Sequence, residues 1–191
     1  SAFLLFMWLI RVKAFGRNNI SSTATYVYVA NHRSQVDTLV TAAAVPHPVR
    51  FLAKSELKHV PFFGYMVKML AIMVDRKSKE SREKSLRYMM RELDEGHSIF
   101  IYPEGTRNRT NMPLKEFKDG AFKLAILSKR PVVVLTLLNT RKVNNPKGIH
   151  LLPGKVEVHY SRPIETAGMT IEDLARLETM VKEEMLKHLE K

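Results

Sequence analysis

The chain of 191 residues is long enough for one domain with a substantial core, and its 45% apolar and 26% charged residues are typical of a globular protein rather than a disordered one. It has no cysteine, which excludes disulfides, thiolate nucleophiles and cysteine-ligated metal sites. Its 31 lysines and arginines against 19 acidic residues give a net charge of +12, and such a field attracts the phosphates of lipid headgroups, acidic carriers or nucleic acid.

The first segment of the chain combines an apolar run with basic residues. Nine apolar residues, 2–10, precede Arg11, Lys13 and Arg17. The run is about half of the roughly 20 residues that a helix needs to cross a bilayer, so it cannot span one alone. Residues 1–20 are therefore predicted to be a helical, membrane-associating segment, with a helix packed on the domain's own core as the alternative.

Strands and helices alternate along the remaining domain, residues 21–191. Runs of β-branched and aromatic residues predict strands, and amphipathic runs bounded by capping residues, glycine or proline predict helices. The predicted strands are Thr25–Ala30, Arg50–Ala53, Ala71–Val74, His97–Tyr102, Pro131–Leu138 and Lys155–Tyr160. The predicted helices run from Ser34 or Gln35 to Ala44, from Ser78 to Glu95, from Gly120 to Lys129, and from a capping pattern at Thr170 and Asp173 to the terminus. This alternation predicts an α/β fold with a mostly parallel, twisted sheet and helices on both faces.

The stretch VANHRSQVD, residues 29–37, places a histidine and a carboxylate where a strand gives way to a helix. Ligands of open α/β sheets bind beyond the carboxyl ends of strands, and His32 falls two residues past the predicted strand. Asp37 falls in the first turn of the following helix, where it can accept a hydrogen bond from one imidazole nitrogen and leave the other as a base. The pattern is suited to taking a proton from a hydroxyl, although the spacing alone is equally compatible with a surface histidine near a capping aspartate.

Two further strand ends carry groups that bind anions. The strand in FIYPEGTR is followed by Glu104–Arg107, which offers a carboxylate, a glycine, a hydroxyl and a guanidinium. The strand that ends at Val74 is followed by an aspartate and by Arg76. A long basic loop follows Arg107, and loops of that length more often serve a site than a fold. Three strand ends thus predict one anion-binding site around the histidine–aspartate pair.

These blocks resemble, in order, the motifs of the glycerolipid acyltransferase family. The similar stretches are His32–Asp37 with Asn31 in front (the HxxxxD motif), Ala53–Gly64, Ile72–Arg76 (IMVDR), Pro103–Arg107 (the EGTR motif) and Arg130–Leu135 (RPVVVL). The match runs from about Tyr26 to Leu138, and the bacterial 1-acylglycerol-3-phosphate acyltransferases are the most similar subgroup. Asn108 stands where many relatives have a serine.

The resemblance implies transfer of an acyl chain from an acyl thioester to the free hydroxyl of lysophosphatidic acid, which gives phosphatidic acid. It implies His32 as the general base and Asp37 as the group that orients it. The implied substrate-binding residues are Asn31, Lys54, Arg76, Glu104, Gly105, Thr106 and Arg107, with the cationic ones holding the acceptor phosphate. No cofactor or metal is implied, and the co-substrate is expected to be an acyl thioester of acyl carrier protein or coenzyme A.

The charge and the apolar first segment are then expected to place the protein on an anionic membrane surface, at the cytoplasmic face of the cell membrane. The oxyanion donors are expected among the backbone N–H groups of residues 31–34. One alternative is acyl transfer to glycerol-3-phosphate or another lysophospholipid, because these activities share the motifs. An alternative of another class is a basic nucleic-acid-binding domain, but the sequence has no motif that reads nucleic acid, so no such partner is expected.

Overall fold

The structure is a computed structural model, and it describes residues 9–46, 48–54, 71–74, 78–144 and 151–190. Seven strands form one sheet: Ile10–Phe15 (β1), Val27–Ala30 (β2), Val49–Lys54 (β3), Ala71–Val74 (β4), Ser98–Ile101 (β5), Val132–Leu138 (β6) and Gly154–Tyr160 (β7). Their order across the sheet is β1-β7-β6-β2-β5-β3-β4. Neighbouring strands are parallel except for β6 and β7, which run antiparallel, so the prediction of a mostly parallel sheet is confirmed.

The middle of the sheet consists of β6, β2 and β5. In their register Val29 of β2 lies beside Ile101 of β5 and Val134 of β6. Every residue of β2 and β5 is buried, because these strands are covered on both faces, and this explains their continuous apolar runs. Since the three strands are parallel neighbours, their carboxyl ends meet at one edge of the sheet. This edge collects the residues that follow Ala30, Ile101 and Leu138.

The described part of the chain contains four α-helices, and they cover both faces of the sheet as predicted. They are Asp37–Ala44 (α1), Lys79–Asp94 (α2), Gly120–Ser128 (α3) and Leu174–Leu189 (α4), with short 3₁₀ turns at Arg17–Asn19 and Ile171–Asp173. One face packs α1 against a core that includes Tyr28, Phe100 and Leu135. The other face packs α2, α3 and α4 against Val29, Ile99, Val134 and their neighbours.

The helix ends follow local capping chemistry. The Ser78 hydroxyl accepts a hydrogen bond of 3.2 Å from the Ser81 N–H at the start of α2, and Gly96, at a φ of 89°, follows the end of that helix. Thr170 and Asp173 form a capping box ahead of α4, so the capping pattern expected from the sequence is confirmed.

The beginning of the chain differs from the prediction. Residues 10–15 were expected to belong to a helical segment, but they form β1, an edge strand paired with β7. The reason is the alternation of Ile10 and Val12, which face the core, with Arg11 and Lys13, which are exposed. Residues 1–8, which carry most of the apolar run, lie outside the described residues. Within the described residues, none of the helices has the length and apolar character required to cross a membrane.

Candidate active site

The edge formed by the carboxyl ends of β2 and β5 joins two motifs that are distant in the sequence. Glu104 Oε1 accepts a hydrogen bond of 2.7 Å from the backbone N–H of His32. The N–H of Asn108 donates in turn to the His32 carbonyl at 2.6 Å. Because β2 and β5 are parallel neighbours, these bonds fix the loop after one strand against the loop after the other. The two motifs therefore lie side by side in one site.

His32 and Asp37 form a hydrogen-bonded pair at this edge. Nδ1 of His32 lies 2.9 Å from Oδ2 of Asp37. The histidine side chain is 17% exposed, whereas the aspartate is fully buried. An ionised carboxylate can only accept a hydrogen bond, so this contact assigns the ring hydrogen to Nδ1 and leaves Nε2 as an acceptor. The pair can take a proton from a hydroxyl at Nε2 and hold the imidazolium that results.

The same carboxylate also holds the loop that carries the histidine. Oδ2 of Asp37 accepts hydrogen bonds of 2.7 Å from the backbone N–H groups of Arg33 and Ser34. Three donors thus converge on one oxygen atom, which fixes both the imidazole and its backbone. The N–H groups of residues 32–34, which the sequence offered as candidate oxyanion donors, bind Glu104 and Asp37 in this structure.

Tyr102, the residue after β5, supports the imidazole through its ring. It stacks on His32 with ring centroids 4.1 Å apart and 17° between the planes. Its hydroxyl lies 3.1 Å from Oγ1 of Thr41 in α1. Burial, and to a smaller extent the nearby Asp37, raise the pKa of Tyr102, so the phenol stays protonated at neutral pH. Tyr102 therefore restricts the orientation of the imidazole without serving as an acid.

Glu104 is a buried carboxylate whose two oxygens both bind backbone. Its Oε1 contacts the His32 N–H as described, and its Oε2 accepts a hydrogen bond of 2.9 Å from the N–H of Lys115. The residue is only 2% exposed. Burial raises the pKa of Glu104, while the two N–H donors act in the opposite direction. Glu104 therefore ties the histidine loop to the long basic loop after β5.

Asn31 and Gly105, two residues of the predicted binding set, are committed to the protein backbone. Asn31 is fully buried; its Nδ2 donates to the Leu137 carbonyl at 3.0 Å and its Oδ1 accepts from the Leu137 N–H at 2.7 Å. Gly105 has a φ of 71°, which favours glycine, and its N–H donates to the Tyr102 carbonyl at 3.0 Å. These bonds shape the site, and the Gly105 N–H is already used in this turn.

Thr106 and Arg107, the last two residues of the predicted EGTR block, lie nearer to solvent. Thr106 is exposed, and its hydroxyl accepts a hydrogen bond of 2.9 Å from Nζ of Lys115. Arg107 is half-buried and directly precedes the residue whose N–H binds the His32 carbonyl. The structure thus brings Arg107 next to the histidine loop.

The other two cationic residues predicted to bind substrate fall where the structure gives no side-chain description. Lys54 is the last residue of β3, and its side chain lies outside the described part of the chain. Arg76 as a whole lies outside it. The roles of Lys54 and Arg76 stay predictions.

A groove of about 920 Å³ opens beside the loop after β5. Apolar side chains from β3, α2 and β5 line part of it, namely Leu52, Leu86, Met89 and Ile101, and basic side chains line another part, namely Arg82, Lys115, Lys118 and Lys123. Tyr102 and Glu104, both in contact with His32, also line the groove. A groove of mixed apolar and basic character next to a base is suited to an amphiphile with an anionic head.

Sequence reasoning missed three residues that organise this site. Tyr102 was assigned only to a strand, although an aromatic residue directly before the EGTR block was a usable signal. Lys115, which binds Glu104 and Thr106, belongs to a loop recognised only for its length and charge. Arg141, whose Nη2 donates to the Asn108 carbonyl at 3.2 Å, follows β6 and is distant in sequence from both motifs. Its position could not be read from the sequence because it depends on the strand order.

Among the described residues, the group whose ligand atoms lie close enough to hold a metal ion is Glu92, Glu95 and His97. His97 directly precedes β5, so this group lies at the opposite edge of the sheet from His32. Glu92 is moreover paired with Arg50 at 3.0 Å.

A comparison of the sequence with protein families agrees with the fold and with the hydrogen-bonded pair of His32 and Asp37. A family profile described as Acyltransferase matches residues 11–137, well over half of the chain, and the match includes His32, Asp37 and the EGTR block. The chain therefore belongs to the acyltransferase family.

Three relatives within this family are named for the same activity. The 1-acyl-sn-glycerol-3-phosphate acyltransferase of Saccharomyces cerevisiae is 28% identical over 178 residues, which cover 92% of this chain and 58% of that protein. The enzyme of the same name from Borreliella burgdorferi is 28% identical over 187 residues, covering 96% and 74%. The crystal structure of the 1-acyl-sn-glycerophosphate (LPA) acyltransferase PlsC from Thermotoga maritima superposes with a TM-score of 0.82 at 25% identity, covering 98% of this chain and 75% of that one. The chain thus spans little more than half the length of the yeast relative.

Proposed function

We propose that the protein transfers an acyl chain from an acyl thioester to the free hydroxyl of lysophosphatidic acid, giving phosphatidic acid. The observation that carries this proposal is the 2.9 Å contact between His32 Nδ1 and Asp37 Oδ2 at a strand edge that also holds Glu104 and Arg107. The activity for which these relatives are named supports the choice of lysophosphatidic acid as the acceptor.

In the proposed reaction, Nε2 of His32 takes the proton of the acceptor hydroxyl while that oxygen attacks the thioester carbonyl. The tetrahedral intermediate collapses, the C–S bond breaks, and the proton on Nε2 passes to the leaving thiolate. The products are the new ester and a free thiol, and the imidazole returns to its neutral form. Asp37 stabilises the imidazolium between the two transfers, and general-base assistance of this kind is worth about 10²- to 10⁴-fold in rate.

The acceptor's phosphate needs cations close to the imidazole. We assign Arg107 to this role, with Lys54 and Arg76 as its partners, because a guanidinium can bind phosphate oxygens in a bidentate fashion. Glu104 contributes indirectly, since it fixes the loop that ends in Arg107. The groove with its apolar wall of Leu52, Leu86, Met89 and Ile101 would take an acyl chain.

The net charge of +12 supports a further part of the proposal, which is that the protein works on an anionic membrane surface at the cytoplasmic face. The last 30 residues hold five basic and seven acidic side chains, so the positive excess belongs to the acyltransferase body that precedes them. Binding to vesicles containing phosphatidylglycerol, compared with duplex DNA at the same salt concentration, would separate a membrane partner from a nucleic acid.

Thioester release with a labelled acyl donor tests the proposed reaction. Wild type is supplied in turn with lysophosphatidic acid, glycerol-3-phosphate, lysophosphatidylethanolamine and no acceptor, and turnover should require the first. His32→Ala should lose at least about 10²-fold in kcat while its circular dichroism spectrum is unchanged. His97→Ala, which removes a histidine at the opposite edge of the sheet, is the control and should keep wild-type turnover. Full activity in His32→Ala would refute the mechanism, and turnover with another acceptor alone would refute the assigned substrate.

Asp37 is tested with two variants because it has two roles. Asp37→Asn can still accept the bonds from the Arg33 and Ser34 N–H groups, whereas Asp37→Ala cannot. We expect both variants to lose activity, and we expect only the alanine variant to lose about 1–3 kcal/mol of unfolding free energy. An asparagine variant with wild-type kcat would show that the carboxylate is needed for structure alone.

A further inference from the structure

Two arginines from different strand ends meet beside the histidine loop. Nη2 of Arg33, which follows β2, donates to the Thr110 carbonyl at 3.4 Å. Nη1 of Arg141, in the turn after β6, lies 3.5 Å from the same oxygen, and its Nη2 donates to the Asn108 carbonyl at 3.2 Å. Asn108 is the residue whose N–H binds the His32 carbonyl. The guanidiniums of Arg33 and Arg141 therefore both contact the backbone of residues 108–110, next to the loop that carries His32.

This arginine pair, Arg33 and Arg141, takes part in no ion pair within the described part of the chain, and together the two side chains donate hydrogen bonds to backbone carbonyls of residues 108–110. Nε of Arg33 is moreover buried without a hydrogen-bond partner. Burial, followed by the charge of Arg141, lowers the pKa of Arg33. The nearby charges of Glu104 and Asp37 only partly offset this lowering of the pKa. A half-buried guanidinium and an exposed one that lie close together, with N–H donors to spare, favour an anionic oxygen ligand.

The arginine pair is separate from the groove beside the loop after β5. The residues that line that groove come from β3, α2, residues 101–106 and residues 115–123, and neither arginine of the pair is among them. Arg33 instead precedes α1, which packs on the opposite face of the sheet from α2 and α3. A transferase that joins two anionic substrates at one imidazole needs a cationic site for each. We assign the acceptor phosphate to Arg107, on the side of the groove. The arginine pair is then available to bind the other substrate, the acyl donor.

We propose that Arg33 and Arg141 bind the phosphate of the acyl donor's phosphopantetheine arm, the group that coenzyme A and acyl carrier protein share. This inference rests on the proposed function, because it takes the second substrate to be an acyl thioester. The arginine pair holds the phosphate beside His32, and the flexible arm brings the thioester carbonyl to the imidazole. The role is donor recognition rather than chemistry, so it affects KM for the donor and leaves kcat little changed.

Steady-state kinetics with three donors carrying the same acyl chain test the proposal: the coenzyme A thioester, the acyl carrier protein thioester and the N-acetylcysteamine thioester, which has no phosphate. Arg141→Gln is the main variant because Arg141 is exposed and its loss leaves the core intact. We expect its KM to rise about tenfold or more for the two phosphate-bearing donors, by less than about twofold for the truncated donor, and not at all for lysophosphatidic acid. Arg141→Lys should recover part of the loss, and Arg33→Gln should resemble Arg141→Gln.

Arg87→Gln is the matched control, since it removes one positive charge from an exposed position of α2 that does not line the groove. It should leave all KM values within about twofold of wild type. A rise in KM for lysophosphatidic acid would show that the arginine pair holds the acceptor phosphate instead. Unchanged KM values, or an equal rise with the truncated donor, would also overturn the proposal.

A binding measurement separates failure of this inference from failure of the proposed function. Thermal unfolding of the wild-type protein is followed with 4′-phosphopantetheine and with pantetheine, which differ by the phosphate. We expect only the phosphorylated compound to raise Tm, and we expect Arg141→Gln to abolish that rise while Arg87→Gln keeps it. If the wild type turned over none of the donors, the proposed acyltransferase activity would be refuted. The rise in Tm with 4′-phosphopantetheine but not with pantetheine would still show whether the arginine pair binds the phosphate.

Discussion

The carboxylate of Glu104 accepts a 2.7 Å hydrogen bond from the backbone N–H of His32, so the EGTR block holds the proposed general base by its main chain. The second oxygen of the same carboxylate binds the N–H of Lys115 at 2.9 Å. The geometry gives Glu104 a positioning role, because both of its oxygens are used within the protein.

Glu104→Gln should change the dependence of stability on pH. Burial raises the pKa of Glu104 in the folded state, so the folded protein binds more protons than the unfolded chain between the ordinary glutamate pKa of about 4.3 and the raised value. Within that window the wild type loses stability as the pH rises, and glutamine does not titrate. The unfolding free energy of wild type should therefore rise relative to that of Glu104→Gln as the pH falls from 7 towards 4. Urea denaturation at several pH values measures this difference, and a constant or opposite trend would contradict a raised pKa.

Tyr102 should act through its ring more than through its hydroxyl. Tyr102→Phe keeps the stack on His32 at 4.1 Å and loses the hydroxyl contacts with Thr41 and Thr38, so we expect near-normal kcat and a stability loss of about 1 kcal/mol. Tyr102→Leu removes the stack, which is worth about 0.5–1.5 kcal/mol, and kcat should fall by roughly threefold to tenfold. Kinetics together with thermal unfolding separate the two effects. Equal kcat values in the two variants would show that the ring does not orient the imidazole.

The sequence predicted the elements of this fold better than their arrangement. The strand Ala71–Val74 has the predicted bounds, and the core of every other predicted strand is present. The order of the strands depends on crossover connections, which hydrophobic periodicity does not encode, so the position of β6 beside β2 was not predictable. The strand β1 was predicted as helix because the apolar run of residues 2–10 outweighed the shorter alternation of Ile10–Phe15.

The pairing of His32 with Asp37 was predictable because both residues lie on one local strand-to-helix turn, where a separation of five residues fixes the geometry. The bond between Glu104 and Lys115 was not, because it depends on the path of an irregular loop without periodicity. The same limit applies to Arg33 and Arg141, whose meeting at the Thr110 carbonyl requires the ends of two different strands and that loop.

Asn31→Asp should destabilise the protein rather than weaken substrate binding alone. The buried Asn31 amide donates to the Leu137 carbonyl, which a carboxylate cannot do, so the variant places a buried negative charge against an acceptor. We expect a loss of about 3–5 kcal/mol in unfolding free energy, measured by urea denaturation. Asn18→Asp, at an exposed position, is the control and should stay within about 0.5 kcal/mol of wild type. Unchanged stability with a raised KM for the acceptor would instead support the predicted contact of Asn31 with substrate.

Gly16 should be required for the docking of β1 on β7. It has a φ of 74°, and a Cβ atom there would lie 2.6 Å from the Tyr160 carbonyl oxygen and 3.0 Å from the Asn19 amide nitrogen. Because Asn19 also donates to that carbonyl at 3.2 Å, neither neighbour can move without breaking this contact. Gly16→Ala should therefore cost at least about 2 kcal/mol, whereas Gly168→Ala, which meets no atom within 4 Å, should change stability by less than about 1 kcal/mol. Urea denaturation of the two variants measures their loss of stability. Equal midpoints would show that β1 docks on β7 without a left-handed conformation at residue 16.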